Sequence, residues 1–191
     1  MKYGVFMKTN IVIFNLFFLG LQFVQAQTSV DLMLYKSIKD NNMRLFSEAI
    51  KRKPDLNTVY PYANFEIITS NFIKAIELNR YEMVRQMILM GADVNQVRYS
   101  DGITASMLAA KKNHSTILVL LMQAGADINQ TTYLNRTALQ IAALYNSVEA
   151  GKVLVSHPQM NVNNRDELCA LAVAARENHI EFVSLLLSLK G

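Results

Sequence analysis

Apolar residues along this chain fall in short blocks with helical spacing, separated by polar turns, after one longer apolar run near the start. That first run extends from Ile11 to Val24 and is broken only by Asn15, Gly20 and Gln22. Two later blocks, Met83 to Met90 and Ile117 to Ala124, read as amphipathic helices and each is followed by a polar turn. The turns are Gly91-Ala92-Asp93-Val94-Asn95-Gln96 and Gly125-Ala126-Asp127-Ile128-Asn129-Gln130, the same string 34 residues apart. Ala pairs at 109–110, 142–143 and 174–175 mark a second recurring block, represented by Thr104-Ala-Ser-Met-Leu-Ala-Ala, Thr137-Ala-Leu-Gln-Ile-Ala-Ala and Cys169-Ala-Leu-Ala-Val-Ala-Ala. A fixed period of this length predicts a stack of repeated structural units.

These strings resemble the ankyrin repeat, whose pattern runs D-x-x-G-x-T-P-L-H-x-A-A, a G-H turn, an outer helix and G-A-D-V-N. Asn113-His114 and Asn178-His179 stand at the G-H turn, and Glu181-Phe-Val-Ser-Leu-Leu-Leu187 matches the outer helix. The resemblance implies an all-α solenoid of about five helix-turn-helix units with short loop fingers, at about 28–57, 58–95, 96–129, 130–163 and 164–191. Each unit is too small to bury both faces alone and gains stability by stacking. Gly91 and Gly125 are expected to end helices at positive φ. Charged residues from Lys36 to Arg52, and Glu181, Ser184 and Ser188, are expected to give the terminal units polar outer faces. Tyr35, Ile73, Met107, Gln140 and Ala172 replace the family His, and only Thr104 and Thr137 keep its Thr, so the hydrogen bonds of that tetrapeptide are expected to be incomplete. Pro158 predicts an irregular turn at the end of the fourth unit.

Composition refines this picture. Residues 1–26 carry Lys2 and Lys8, no acid and five of the nine Phe, and end in Val24-Gln25-Ala26. They read as a secretory signal peptide cleaved after Ala26, with an uncleaved membrane anchor as the alternative. The chain has 19 basic and 15 acidic residues. Loss of Lys2 and Lys8 reduces the first number to 17, a net charge near +2, which is no nucleic-acid footprint. The single Cys excludes an internal disulfide framework. The expected product is an exported monomer, periplasmic or extracellular, with no stable membrane insertion once the peptide is removed.

Chemistry-bearing motifs are absent: there is no G-x-S-x-G, H-E-x-x-H, P-loop or C-x-x-C. No catalytic residue, metal or cofactor is assigned. His114 and His179 occupy a structural turn, and His157 precedes Pro158 in a loop. Cys169 is expected as a buried thiol at the start of the fifth inner helix. Met83, Met87 and Met90 are expected in the core, against a rival reading as soft copper(I) ligands. The acceptor patterns at Asn113, Asn129 and Asn135 are attributed to chance.

What remains is surface. The expected fingers hold Tyr60 and Tyr62, Arg98 and Tyr99, Tyr133, and Arg165, so three successive fingers carry Tyr. Tyr contributes large contact area with few rotatable bonds, though such rings could equally pack on neighbouring fingers. With Ile103, Lys111, Lys112, Arg136, Leu144, Tyr145 and Arg176 they predict an aromatic, apolar and basic concave face that binds another protein rather than nucleic acid. The resemblance implies roles as a protective partner of an envelope enzyme, such as one detoxifying peroxide, or as a toxin-immunity protein.

Overall fold

The computed structural model describes residues 29–57, 59–61, 68–98, 101–158 and 164–188, apart from the side chains of 59–61, 68–69 and 164–168. The expected signal peptide, Tyr62, Tyr99 and the turn after Pro158 lie outside the described residues. The chain divides between Asp55 and Leu56 into two compact bodies.

The first body is one helix pair, α1 (29–39) and α2 (Met43–Lys51). Leu34, Ile38, Phe46 and Ala49 are wholly buried, while Lys36, Lys39, Asp40, Arg44, Glu48, Lys51 and Arg52 are exposed, as their spacing predicts. Asn42 caps α2 by accepting from the Leu45 N–H at 3.0 Å, which satisfies one of the orphan donors of the first turn.

The second body holds four helix pairs. They are α3 (Asn71–Glu77) with α4 (Tyr81–Leu89), α5 (Ala105–Lys111) with α6 (Ser115–Gln123), α7 (Ala138–Leu144) with α8 (Val148–Val155), and α9 (Asn164–Arg176) with α10 (Ile180–Ser188). Inner helices α3, α5, α7 and α9 pack in sequence, and outer helices α4, α6, α8 and α10 follow them, so the architecture is an all-α stack of repeated pairs. Ala75, Ala105, Ala109, Ala110, Ala138, Ala142 and Ala143 are at most 1% exposed, because consecutive inner helices leave room for little more than a methyl group. Met83 and Met87 fill the core of α4 as expected, but Met90 is 42% exposed because it caps the helix end instead of lying on its buried face.

Two of the expected loop fingers are short antiparallel hairpins. Strand β1 (Val59–Pro61) pairs with β2 (Ile68–Ser70), and β3 (Val97–Arg98) with β4 (Ile103–Thr104). The fourth expected finger does not form. Residues 164–167 are the first turn of α9, which runs for 13 residues where the other inner helices of this body have seven. Asn164-Arg-Asp-Glu-Leu-Cys169 lacks both the Gly that turns a finger and the Thr that caps the next helix. Cys169 therefore lies mid-helix, and it is exposed rather than buried.

The turn inside every pair uses one device. Asn41, Asn79, Asn113, Asn146 and Asn178 all take the left-handed conformation, with φ between 51° and 59°. Asn tolerates that region better than other non-glycine residues. In the second body the next N–H reaches back to an Ala carbonyl, Arg80 to Ala75, His114 to Ala109, Ser147 to Ala142 and His179 to Ala174, at 2.8–2.9 Å. This six-to-one bond closes a Schellman end on each inner helix. Gly91 and Gly125 do turn the ends of the outer helices, at φ 88° and 87°.

Neighbouring pairs are tied by side chains from these turns. His179 Nδ1 donates to the Ala143 carbonyl at 2.8 Å, Ser147 Oγ to the Lys111 carbonyl at 3.3 Å, and His114 Nε2 lies 3.5 Å from the Glu77 carbonyl. Asn113 Oδ1 accepts from the Ala150 N–H at 3.0 Å, so it caps α8 of the following pair, whose own Ser147 forms no side-chain cap. In α8, Gly151 leaves the space that Phe182 of α10 occupies, since a Cβ there would stand 2.7 Å from the ring.

Asn113 separates backbone strain from hydrogen bonding. Asn113→Gly should lose the cap alone, ~1 kcal/mol, whereas Asn113→Ala should lose the cap and also strain the turn by ~1–2 kcal/mol more. Chemical denaturation of both variants checks the order, and equal losses would remove the strain argument.

Candidate functional site

The finger side of the second body is built on a hydrogen-bonded base. Asn57 Oδ1 accepts from the Asp93 N–H at 2.9 Å, and Asn95 Oδ1 accepts from the Asp127 N–H at 2.8 Å, so each turn Asn holds the turn of the next pair. Gln96 is buried beneath the first step. Its amide donates to the Leu56 carbonyl at 3.2 Å and to Asn57 Oδ1 at 2.8 Å, while Ser70 Oγ donates to its Oε1. Ser70 also accepts from the Ile73 N–H at 3.2 Å, as Thr104 does from Met107 and Thr137 from Gln140. A Ser thus supplies in α3 the helix cap that the missing Thr would have made. The repeated Gln after Asp-Val-Asn, or Asp-Ile-Asn, was the available sequence signal for this tie.

The third finger, Thr131 to Arg136, has no strand but is fixed by its backbone. Thr132 N–H donates to the Arg136 carbonyl at 3.0 Å, Asn135 N–H to the Thr132 carbonyl at 2.9 Å, and Thr132 Oγ1 accepts from the N–H groups of Leu134 and Arg136 at 3.3 and 3.2 Å. Buried Thr132 thereby presents the next two side chains outward. Tyr133 is 64% exposed and Leu134 is 75% exposed. The edge of the Tyr133 ring rests on Gly102 of the preceding finger, at φ 71°, where a Cβ would come within 2.7 Å of the ring. Tyr133 accordingly does both jobs expected of such a ring: one edge locks two fingers and the rest is available to a partner.

A second group gathers around the inner helices. Arg98 donates from Nε to Asp101 Oδ1 at 2.9 Å and pairs through its other nitrogen with Oδ2. The Arg98 hydrogen bond, aided by the Ile103 N–H and by the charges of Arg98 and Lys111, holds the Asp101 carboxyl below its ordinary range despite partial burial. Asp101 in return raises the Arg98 guanidinium, and the fields of Glu77 and Tyr145 reach it as well. Lys111 places its ammonium 4.6 Å from the centre of the Tyr145 ring on the next repeat, a cation–π pair.

Of the residues expected on this face, Arg98, Lys111 and Tyr145 converge, and Tyr133 and Arg136 share the third finger. Lys112 and Arg176 are exposed and Leu144 is half-buried. Ile103 is not a contact residue, being 7% exposed, because β4 turns it under the finger. Tyr60 lies in β1 with its side chain outside the described residues, as does that of Arg165, which is on α9 rather than on a finger. Tyr99 is likewise outside them. Leu134 and Asp101 were missed as site residues; an exposed Leu between Tyr and Asn in a polar turn was the signal for the first. Among the described residues no cluster of His, Cys, Asp or Glu could hold a metal ion.

A family model described as ankyrin repeats in three copies matches residues 72–166 and again 107–191. Ankyrin repeat protein FPV031 of fowlpox virus (strain NVSL) is 28% identical over 165 residues, 82% of this chain and 47% of that protein. E3 ubiquitin-protein ligase XBAT33 of Arabidopsis thaliana is 31% identical over 113 residues, 56% of this chain and 22% of the ligase. Ankyrin repeat protein FPV216 of the same virus is 28% identical over 111 residues, 58% and 37% respectively. The chain spans less than half the length of each of these relatives.

Two outcomes test this geometry. Gly102→Ala should destabilise the protein, and by less when Tyr133→Ala is also present, because the contact with the ring is then gone while the contact with the Tyr133 backbone nitrogen and the positive φ remain; a double-mutant cycle in denaturant measures the coupling. Burial, helped by nearby Lys112, lowers the pKa of His114 against the opposing Glu77 carbonyl contact. The unfolded chain then binds more protons than the native one as pH falls through the ordinary His range near 6.5, so stability should decline below that pH. Thermal melts from pH 7.5 to 5 should show a smaller decline in His114→Gln, and the same decline in both would refute the assignment.

Proposed function

The chain belongs to the ankyrin-repeat family, a family of non-enzymatic modules that mediate protein–protein interaction, and from that membership we propose that it binds a partner protein through its fingers and inner-helix face after export from the cytoplasm. The observation that carries the choice of face is the third finger. Its backbone is fixed by hydrogen bonds, yet it holds Tyr133 and Leu134 outward at 64% and 75% exposure. An apolar pair held rigidly in water gains by burial against a partner, and the ordering cost of the loop is already met within the fold. Tyr145 at 49% exposure, with Lys111 against it, extends the surface across the neighbouring repeats.

Export rests on the basic and apolar segment of residues 1–26 with its Val24-Gln25-Ala26 site. No helix among the described residues is long and apolar enough to cross a membrane. An exported module of this kind fits a protective partner of an envelope enzyme or a toxin-immunity protein, and in either role it acts by occupancy.

Immobilised wild type should retain a specific protein from envelope extract, and Tyr133→Ala/Leu134→Ala should lose it while remaining folded, with only the modest drop in melting temperature that loss of the Tyr133 contact with Gly102 brings. Lys152→Gln, on the outer helix α8, should behave as wild type. A partner retained equally by the double variant would show that this finger is not the binding surface.

A further inference from the structure

The described charges on the finger side are unevenly matched. Three carboxylates near the inner helices already have a base of their own: Glu77 is 2.8 Å from Lys74 Nζ, Asp101 is held by Arg98, and Glu177 is 2.8 Å from an Arg176 terminal nitrogen, while Asp93 and Asp127 accept from the N–H groups of Asn95 and Asn129 within their own turns. Among the described residues, Lys111, Lys112 and Arg136 have no carboxylate within ion-pair distance. Lys111 stands over the Tyr145 ring and feels the field of Asp101, and Lys112 and Arg136 are exposed. The spare cations stand at the two ends of a short path, Lys111 and Lys112 at the end of α5 and Arg136 on the third finger beside Tyr133 and Leu134.

Resting on the protein-binding reading above, we infer that the partner's contacting element is an acidic segment with an apolar anchor. Its carboxylates meet Lys111, Lys112 and Arg136, and its apolar side chain meets Tyr133 and Leu134. The seven residues of α5 rise ~10 Å, so an extended segment of roughly three residues, at ~3.3 Å each, covers that length. Carboxylates opposite these groups restore charge balance and steer the encounter. The same inventory disfavours a nucleic acid. Three spare cations interleaved with a Leu, and flanked by the carboxylates of Asp101 and Glu177, do not form the continuous basic track that a phosphate backbone needs.

The test is selection of a random peptide library displayed on phage against the immobilised full chain, followed by fluorescence anisotropy of labelled winners. Winners should carry Asp or Glu beside an aliphatic or aromatic residue, and their amide counterparts should bind about tenfold more weakly. Lys111→Gln/Lys112→Gln/Arg136→Gln should weaken the winners by a similar factor with an unchanged thermal melt, while Lys152→Gln should leave them unaffected.

Winners without acidic bias, winners held equally by the triple variant, or no winners at all would overturn the inference. So would a single-stranded oligonucleotide that binds more tightly than any peptide. If non-acidic winners still require Tyr133 and Leu134, the assigned class of partner fails while the assigned face stands.

Discussion

Consecutive inner helices in the second body pack directly on one another, with buried pairs of Ala in α5 and α7, and the remaining structure follows from that packing. Ala109, Ala110, Ala142 and Ala143 are completely buried. Small residues allow close packing, but they contribute little apolar area of their own. The larger gain comes from Met83, Met87, Ile117, Leu118, Leu121, Leu154 and Phe182, buried as one pair covers the next. A bulkier residue at any Ala position would separate two pairs and expose that layer, at ~1–3 kcal/mol or more.

Stacking at this distance also brings polar turn groups of neighbouring pairs into reach, and the chain uses them. The Asn residues that reverse the backbone inside each pair leave their neighbours, His114, Ser147 and His179, facing carbonyls of the preceding inner helix. On the finger side, Asn57 and Asn95 perform the equivalent task for the turn N–H groups. Both ends of a repeat are thus registered by hydrogen bonds that would otherwise be unmet on burial. Leu134 and the outer edge of Tyr133 can stay in water because this frame, with the backbone bonds of Thr132, holds the finger.

The division of charge follows from the same frame. Arg98 and Asp101 sit three residues apart on one hairpin, and Lys74 and Glu77 on one helix turn, so they neutralise each other locally. Lys111, Lys112 and Arg136 lie where no carboxylate shares their element at the right spacing. Their spare charge, beside an exposed apolar pair, makes this region of the finger side suited to recognition.

Period and local strings in the sequence determined the repeated helix pairs and the glycine turns, because each depends on residues near one another in the chain. The Asn turn was legible at 113 and 178 through the following His, but not at 79 or 146, where Arg and Ser follow instead. Tertiary structure decided the rest. It buried Ile103, exposed Cys169 and Met90, extended α9 through an expected finger, and set Tyr133 on Gly102 of the preceding repeat. Those outcomes depend on what a neighbouring repeat covers, and a side chain some 30 residues away leaves no mark on local hydrophobic periodicity.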